Sequence, residues 1–585
     1  MTKLLFADGW FFFVPYLLLY LYFKYDNLPT ATLHNIFIVL HIINLVLFFF
    51  YLYKNKNRQQ IKLTEILFWV FIAILFLQPG AYLEFPSDPW EHFRRIFSWS
   101  AYSLIEDNPI NNKFTYFWGW TLMSQVQPLY RRIALDIYSA FWQLLLAYQF
   151  YLLALRLGFD KSWAKIQVVA TIFLFGTNLF SFYRYYALSS TPLAYIAYLR
   201  SLIILINARN GDKKQLAYLL PLVLIMYYNH IQELLLLLIS GFALVLDYLT
   251  DSKKQIKILC ITVAIAMPIA LILGAYMVSN PQLLPEPASG RLSLPHISSW
   301  GSFRIWDTKL PYFETIAVHG LISLLLAVAW FAKHKTIALL TLTPYLLMLF
   351  PPFVLSFVVA MASGYSSNYG TYRVIYAFPT SFILVFGLKE TFILLTKKFK
   401  LHPPHLQLRL LVVILAILIA LPPIYPYRGR FWFQIYQPPA ALSFKSIDTT
   451  AQWFFTNRQL DAKCLLMADA ATDFTLNTNL ALRIVPRLHV YNPSESLTSD
   501  SALKNYIKDQ NVCRILVAIP DKVSPPPVSV VGQLSGHWNA SLVNKNLMVS
   551  QEFIKNTDSL LTMGWTKTFV PPFYWLYENP TALTP

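Results

Sequence analysis

Long apolar runs fill most of the first 425 residues and limit what this chain can fold into. A helix needs about 20 apolar residues to cross the hydrocarbon core of a bilayer, where every backbone polar group must be satisfied internally. The sequence therefore predicts a polytopic α-helical membrane protein. About thirteen runs approach this length before charge, Pro or Gly ends them: 4–23, 33–53, 61–78, 133–155, 166–183, 186–206, 214–229, 231–248, 257–279, 313–332, 336–361, 374–396 and 408–425.

The basic residues are distributed in a way that argues against nucleic acid as a partner. Of the residues, 56% are hydrophobic and only 13% are charged, yet the formal net charge is +18. A nucleic-acid interface needs its Lys and Arg clustered on one face or in one segment. Here the Lys and Arg residues lie between the apolar runs, as expected for side chains that reach lipid headgroups from the ends of spans. Membrane lipids are therefore the expected partners of this charge.

The connectors between the spans predict which side of the membrane each one faces. Short cytoplasmic loops collect Lys and Arg, whereas exported loops do not. The other side then receives the long loops 79–132 and 280–312 and everything after residue 425. We expect an integral protein of a bacterial inner (plasma) membrane with a cytoplasmic N-terminus, whose first span is either a signal anchor or a cleaved signal peptide. The basic connectors are those near 54–62, 156–165, 209–214, 253–257, 333–335 and 397–409.

A change in composition near residue 440 marks a second domain. Polar turns and short β-like runs replace the apolar stretches, which predicts a transmembrane domain over 1–430 and an extracytoplasmic α/β domain over 431–585. No Gly-rich phosphate loop follows its strands, so nucleotide binding lacks its mechanism. The predicted strands are 464–468, 488–491 and 514–519, the predicted helices are 446–458 and 501–510, and 569–577 is either a last strand or a membrane-facing aromatic patch.

The three cysteines, Cys260, Cys464 and Cys513, have no metal-ligand spacing. Cys464 and Cys513 form a disulfide if the C-terminal domain lies in an oxidising compartment. The alternative is that both are buried thiols.

An acidic stretch in the first long exported loop is the main candidate for chemistry. Glu84, Asp88 and Glu91 lie within eight residues of each other in a chain that is poor in acids, and His92 follows them. A helix over about 89–105 is predicted to lie in the membrane interface. A carboxylate at that boundary acts either as a general base or as a ligand for a divalent cation. The structural alternative is that these acids cap the helix and pair with nearby arginines.

Two further groups of polar residues are candidates for substrate binding. His230 and Glu233 lie where one short span ends and the next begins, and a helical start would place them on one face. Their alternative role is a hydrogen-bonded helix reversal. Arg184 and Arg373 lie on the exported side against the charge rule, where a guanidinium suits either a bound phosphate or lipid headgroups.

The arrangement of spans, acidic loop and C-terminal domain resembles the GT-C superfamily of membrane glycosyltransferases. In residues, the resemblance is carried mainly by Glu84, Asp88 and Glu91. It implies hexosyl or pentosyl transfer from a polyprenyl-phosphate donor to a lipid, glycan or protein acceptor. It also implies that the protein acts in the cell envelope. Asp88 would be the base or metal-binding acid, and Arg373 or Arg184 would contact the carrier phosphate. The family's acidic pair is usually closer and usually follows the first span.

Proteins of other classes share parts of this pattern. A secondary transporter needs charged or broken helices at the middle of the membrane, often in two related halves, and the sequence shows no clear internal repeat. A polysaccharide polymerase or ligase has many spans and arginines in a large exported loop, but usually lacks the soluble tail. A non-enzymatic envelope assembly protein is the third alternative.

Overall fold

The structure is a computed structural model of the 585-residue chain. The chain divides into two compact units, one formed by Met1–Phe141, Ala187–Ser190 and Arg430–Pro585, the other by Trp142–Tyr186 and Thr191–Gly429. The structure describes residues 63–76, 113–123, 131–174, 191–250, 323–349, 377–399, 465–468, 499–509, 511–519, 551–572 and 574–582, with isolated positions between 17 and 46, at 96 and 126, and between 449 and 458.

The first unit contains a buried helix that the sequence did not predict. Helix α1 spans Leu63–Phe76 and matches the predicted span at 61–78, whereas α2 spans Phe114–Met123 inside the predicted exported loop. Nine of the ten residues of α2 are buried. Its run is aromatic but too short to cross a bilayer, so span length gave no signal for it. The predicted interfacial helix at 89–105 lies almost wholly outside the described residues.

Helix α3, Arg131–Arg156, continues from the first unit into the second. Among the described residues, three stretches are long and apolar enough to cross a membrane: Ile137–Arg156, Thr191–Arg209 and Gln232–Leu249. The membrane class is thereby confirmed, while the count of about thirteen spans stays a prediction. The other helices of the second unit are α4 Lys161–Leu174, α5 Thr191–Arg209, a 3-10 helix at Lys213–Tyr218, α6 Leu219–Asn229, α7 Gln232–Leu249, α8 Lys335–Leu349 and α9 Ser381–Phe399.

Helix α5 is the central helix of the second unit. It packs against α6 and α7, while α7 packs against α8, and α4 packs against α9. About 89% of its membrane-length stretch is buried inside the protein. A helix surrounded on all sides needs no continuous polar stripe, and α5 has none, although Arg200, Ser201 and Asn207 are buried in it.

Helix ends that the sequence assigns to one side of the membrane meet in the structure. Arg209 at the end of α5 pairs with Asp247 in the last turn of α7, and Lys335 at the start of α8 lies 3.4 Å from the same carboxylate. On α9, the Nζ atom of Lys389 donates to the carbonyl oxygen of Gly158, just after α3. These contacts bring residues from the basic connectors near 156–165, 209–214 and 333–335 to one end of the helices. The compartment that this end faces stays a prediction.

The C-terminal part is an α/β fold, as the composition predicted. Strands β1 Leu465–Ala468, β2 Val512–Ala518, β3 Thr566–Val570 and β4 Tyr574–Glu578 form one sheet in the order β1-β2-β4-β3. Strand β1 runs parallel to β2, and β4 runs antiparallel to both β2 and β3. The helices are α10 Asp500–Asp509 and α11 Gln551–Asp558.

The two faces of this sheet are both buried. Ile515 and Val517 share a core with Leu503 of α10, and the alternate residues Leu516 and Leu576 are buried on the other face. The predicted region 569–577 contains the end of β3 and most of β4, so Phe569, Tyr574, Trp575 and Tyr577 belong to strands. The predicted strand at 488–491 lies outside the described residues.

Candidate functional site

Of the residues predicted to form a site, His230 and Glu233 lie within the part of the chain that the structure describes. The structure brings these two side chains together. The other predicted residues, Glu84, Asp88, Glu91, His92, Arg184 and Arg373, lie outside the described residues, so their roles stay predictions.

The turn between α6 and α7 is short and internally hydrogen-bonded. α6 ends at Asn229, His230 is extended with φ −158° and ψ 99°, and α7 begins at Gln232. The backbone N–H of His230 donates to Met226 O at 2.8 Å, and the side-chain amide of Asn229 donates to Ile225 O at 2.7 Å. These bonds satisfy carbonyls that a helix end leaves unpaired. The reversal is therefore well defined even though almost no connector separates the two helices.

Within this turn, His230 and Glu233 form a close pair. Nδ1 of His230 lies 2.5 Å from Oε2 of Glu233, and the side chains are 15% and 1% exposed. A carboxylate in the first turn of a helix is favoured by the helix dipole. It also fixes the orientation of the imidazole. Such a pair can move a proton at a hydroxyl or hold a phosphate oxygen.

The opposite end of α7 carries the second buried carboxylate of this helix, Asp247. Its Oδ2 lies 2.7 Å from Nε of Arg209 and accepts a hydrogen bond from Oγ1 of Thr336 at 2.8 Å. An acid in the last turn of a helix is disfavoured by the dipole, so these partners compensate. At about 1.5 Å per residue, Glu233 and Asp247 are about 21 Å apart along the axis. The His230–Glu233 pair therefore lies at the end of the bundle away from the basic connectors.

Between these two levels, the backbone before α9 is not α-helical: Ala377 is in 3-10 conformation, and a bend and a turn follow over 378–380. The carbonyl oxygen of Ala377 accepts from Oη of Tyr198 and from Oγ of Ser240, the latter at 3.1 Å. Ser240 lies midway between Glu233 and Asp247 on α7, so Ala377 lies at the middle depth of the bundle. Irregular backbone at such depth persists only where it is buried in protein or lines a water-filled cavity. The predicted span 374–396 stays a prediction, and the α-helix that overlaps it, α9, spans Ser381–Phe399.

A buried polar network holds the start of α9. The side-chain amide of Gln167 donates to the hydroxyl oxygens of Thr171 and Ser381, both at 2.9 Å. The two hydroxyls are themselves 2.8 Å apart. All three side chains are fully buried. They replace part of the hydrogen bonding that a continuous helix would have supplied.

Sequence reasoning overlooked three buried ionisable residues in the apolar helices. Arg200 lies near the middle of α5 and is 6% exposed, and Glu390 on α9 is 3% exposed. The third is Asp247. Glu390 forms an ion pair with Lys333, and one of its oxygens lies 3.5 Å from Nε2 of His334. The sequence could have revealed these three residues, because each lies inside or at the end of a predicted span. Ionisable residues in such positions often mark functional sites.

No metal site is found in the described part of the chain, where no three His, Cys, Asp or Glu side chains come together. The residues proposed to bind a divalent cation are the acids of the stretch around Asp88. That ligand set stays a prediction.

No protein family and no curated protein matches the chain. Among solved structures, the chain is similar to an oligosaccharyltransferase from Archaeoglobus fulgidus, with 11% sequence identity and a TM-score of 0.40. The match covers 77% of this chain and 68% of that one.

Proposed function

We propose that the protein is a membrane glycosyltransferase that moves a sugar from a polyprenyl-phosphate donor to an acceptor on the extracytoplasmic face. The observation that carries this proposal is the buried His230–Glu233 pair at the end of the bundle away from the basic connectors. The predicted topology assigns the acidic stretch around Asp88 to the same side of the membrane. Acid–base groups and the headgroup of a lipid carrier then meet at one membrane surface.

The acidic stretch supplies the catalytic residues in this proposal. Asp88 accepts the proton of the acceptor hydroxyl while the hydroxyl oxygen attacks the anomeric carbon. The bond between that carbon and the phosphate oxygen breaks, and the electron pair leaves with the carrier phosphate. Glu84 and Glu91 lie close enough in sequence to orient this reaction or bind a divalent cation, and His92 contacts substrate. Inversion at the anomeric carbon follows from a single displacement.

Arg373 is proposed to bind the departing phosphate, with Arg184 as the second candidate. Arg373 precedes Ala377 by four residues, and a chain of that length spans at most about 14 Å. Ala377 lies at the middle depth of the bundle, beside Tyr198 and Ser240. Glu233 lies about 10 Å from Ser240 along α7, so a reach of this length allows Arg373 to lie level with the His230–Glu233 pair. The fork of an arginine matches two phosphate oxygens and stabilises the charge that develops on them.

The disulfide supports an exported C-terminal domain. Cys513, in strand β2, is disulfide-bonded. Disulfides persist mainly in oxidising compartments. Strand β1 starts at Leu465, one residue after Cys464, and Leu465 pairs with Val512. This register supports Cys464 as the partner.

One observation also favours a transporter. A helix that is interrupted at the middle of a bundle, with a buried charge such as Arg200 at a similar depth, is a feature of transporter binding sites. Transport and transfer predict different products, so one experiment separates them.

The test uses purified protein in liposomes supplied with radiolabelled polyprenyl-phosphate sugars and crude membrane acceptors. We expect transfer by the parent, loss of transfer in Asp88→Asn, and reduced transfer in Glu233→Gln. Asp509→Asn is the matched control, because Asp509 is exposed at the end of α10. Unchanged transfer in Asp88→Asn would remove Asp88 as the base. Label that crosses the bilayer without being transferred would replace the enzyme with a transporter.

A further inference from the structure

Two arginines of the C-terminal domain converge on one carboxylate. Nε of Arg514 lies 3.0 Å from Oε1 of Glu578, and Nε of Arg458 lies 3.0 Å from Oε1 and 2.8 Å from Oε2. The three residues come from β2, from the helical turn that ends near Arg458, and from β4. We call these three residues the double-arginine cluster. It belongs to no part of the proposed transfer chemistry.

Backbone pairing holds the cluster in place. Arg514 and Glu578 are direct cross-strand partners in the antiparallel pair of β2 and β4. Next to them, the N–H of Asn579 donates to Cys513 O at 2.9 Å. The guanidinium of Arg458 also lies over the ring of Trp453, 5.1 Å from its centroid. Cation–π contact and strand pairing therefore preorganise both arginines before any ligand arrives.

The cluster has an excess of positive charge and of donors. Glu578 offsets one of the two guanidinium charges, and among the described residues neither arginine has an ion pair with a second carboxylate. Arg514 is only 4% exposed, and its buried Nη1 atom donates no hydrogen bond. Buried cations are normally paired, and buried donors are normally satisfied. The side chain of Arg458, at 30% exposure, provides the side from which a ligand can approach.

We propose that the double-arginine cluster binds an oxyanion, either a carboxylate or a phosphate monoester, of a small ligand or glycan. The planar fork of a guanidinium matches two oxygens of either group, and the buried Nη1 of Arg514 provides a donor that Glu578 does not use. Trp453 beside Arg458 offers an apolar surface for the rest of the ligand. If the protein is a glycosyltransferase, this chemistry fits an acidic acceptor glycan. The binding itself does not depend on that function.

The rival explanation is that Glu578 only pins the helical turn near Arg458 to the sheet. In that case both arginines stabilise the domain, and added oxyanions act no differently from chloride. The two explanations differ in anion specificity, which can be measured without any catalytic assay.

The test measures the thermal unfolding midpoint and Trp fluorescence of the purified full-length protein in detergent. Inorganic phosphate, glucose 6-phosphate and glucuronate are titrated against chloride at constant ionic strength, so that the phosphate and carboxylate arms are separate. We expect a saturable rise of the midpoint in at least one arm, with affinity at least about tenfold weaker in Arg458→Gln and in Arg514→Lys. Lys567→Gln is the control, because this lysine pairs with the exposed Asp558 in the same domain.

The proposal is overturned if no oxyanion acts beyond chloride on the parent, or if Arg458→Gln responds like the parent. Arg458 is partly exposed, so its variant tests the site even if Arg514→Lys does not fold. Failure of sugar transfer leaves this result unaffected, and loss of oxyanion binding leaves the transfer proposal standing.

Discussion

The carboxylate of Glu233 and the imidazole of His230 face each other across the first turn of α7, with Oε2 and Nδ1 2.5 Å apart. The contact exists because the chain reverses between α6 and α7 with His230 extended rather than helical. If His230 were helical, the spacing of three residues would only place it on the same helix face as Glu233. In the observed turn, the two side chains are in direct contact. The pair is the best-defined candidate for chemistry at this end of the bundle.

Glu233→Gln keeps the size of the side chain and a hydrogen-bonding oxygen but removes its charge. We expect sugar transfer to fall by about 100-fold, because acid–base groups contribute roughly this much and the imidazole loses its orienting charge. Sugar transfer by His230→Gln should fall by a similar factor. Transfer by the double variant should be no lower than transfer by either single variant. Losses that multiply in the double variant would show that the two residues act separately.

Asp247→Asn leaves Arg209 and Lys335 without the carboxylate between them. We expect this variant to lower the free energy of unfolding by about 3–5 kcal/mol, the usual cost of breaking a buried ion pair from one side. Denaturant unfolding in detergent measures it. Asp509→Asn, an exposed change of the same chemical kind, should stay within about 0.5 kcal/mol. Equal stability of the two variants would mean that the ion pairs of Asp247 with Arg209 and Lys335 contribute little to the free energy of unfolding.

His334 is expected to make stability fall on acidification. Burial lowers the pKa of its imidazole, and Lys333 and Lys389 lower it further, whereas Glu390 opposes them. In the unfolded chain the group protonates near pH 6.5. Its contribution is therefore complete above about pH 6.5 and is lost as the pH falls below that value towards the folded-state pKa.

The measurement for His334 is the unfolding midpoint between about pH 8 and pH 5. His334→Gln should show a shallower fall with acidification than the parent, because glutamine does not titrate. The ring also packs against Phe386, with centroids 3.9 Å apart, so the variant is compared by slope and not by absolute midpoint. Parallel curves would exclude His334 as the titrating group.

Mass spectrometry of peptides prepared without reductant should show Cys513 linked to Cys464, with Cys260 as a free thiol. A loop of about 50 residues closed by this bond should stabilise the domain by about 4 kcal/mol, so Cys513→Ser should lower its unfolding free energy by a similar amount. A link from Cys513 to Cys260 would contradict the strand register. Labelling of intact cells with an impermeant thiol reagent after mild reduction tests the compartment.

Local sequence was sufficient to predict the helices and strands whose position depends on one requirement, such as apolar length. The apolar lengths of α5 and α7 predicted their bounds to within a few residues, because lipid requires long uncharged helices. Runs of buried apolar residues likewise predicted β1 and β2. The position of α2 could not be predicted in this way, because a ten-residue run with five aromatic residues fits an interfacial, buried or soluble helix equally well. What buries α2 is packing against the protein, which no local pattern specifies.

The sequence by itself determined that this chain is a membrane protein and that strands and helices follow its apolar runs, because apolar length and the local pattern of residues act over short stretches of chain. Tertiary structure decided that α9 begins at middle depth beside Gln167 and Thr171, that Asp247 meets cations from two other helices, and that Arg458 and Arg514 share Glu578. Each of these contacts joins residues far apart in the chain. Their energies depend on burial and on partners supplied by other elements, so only the folded arrangement could specify them.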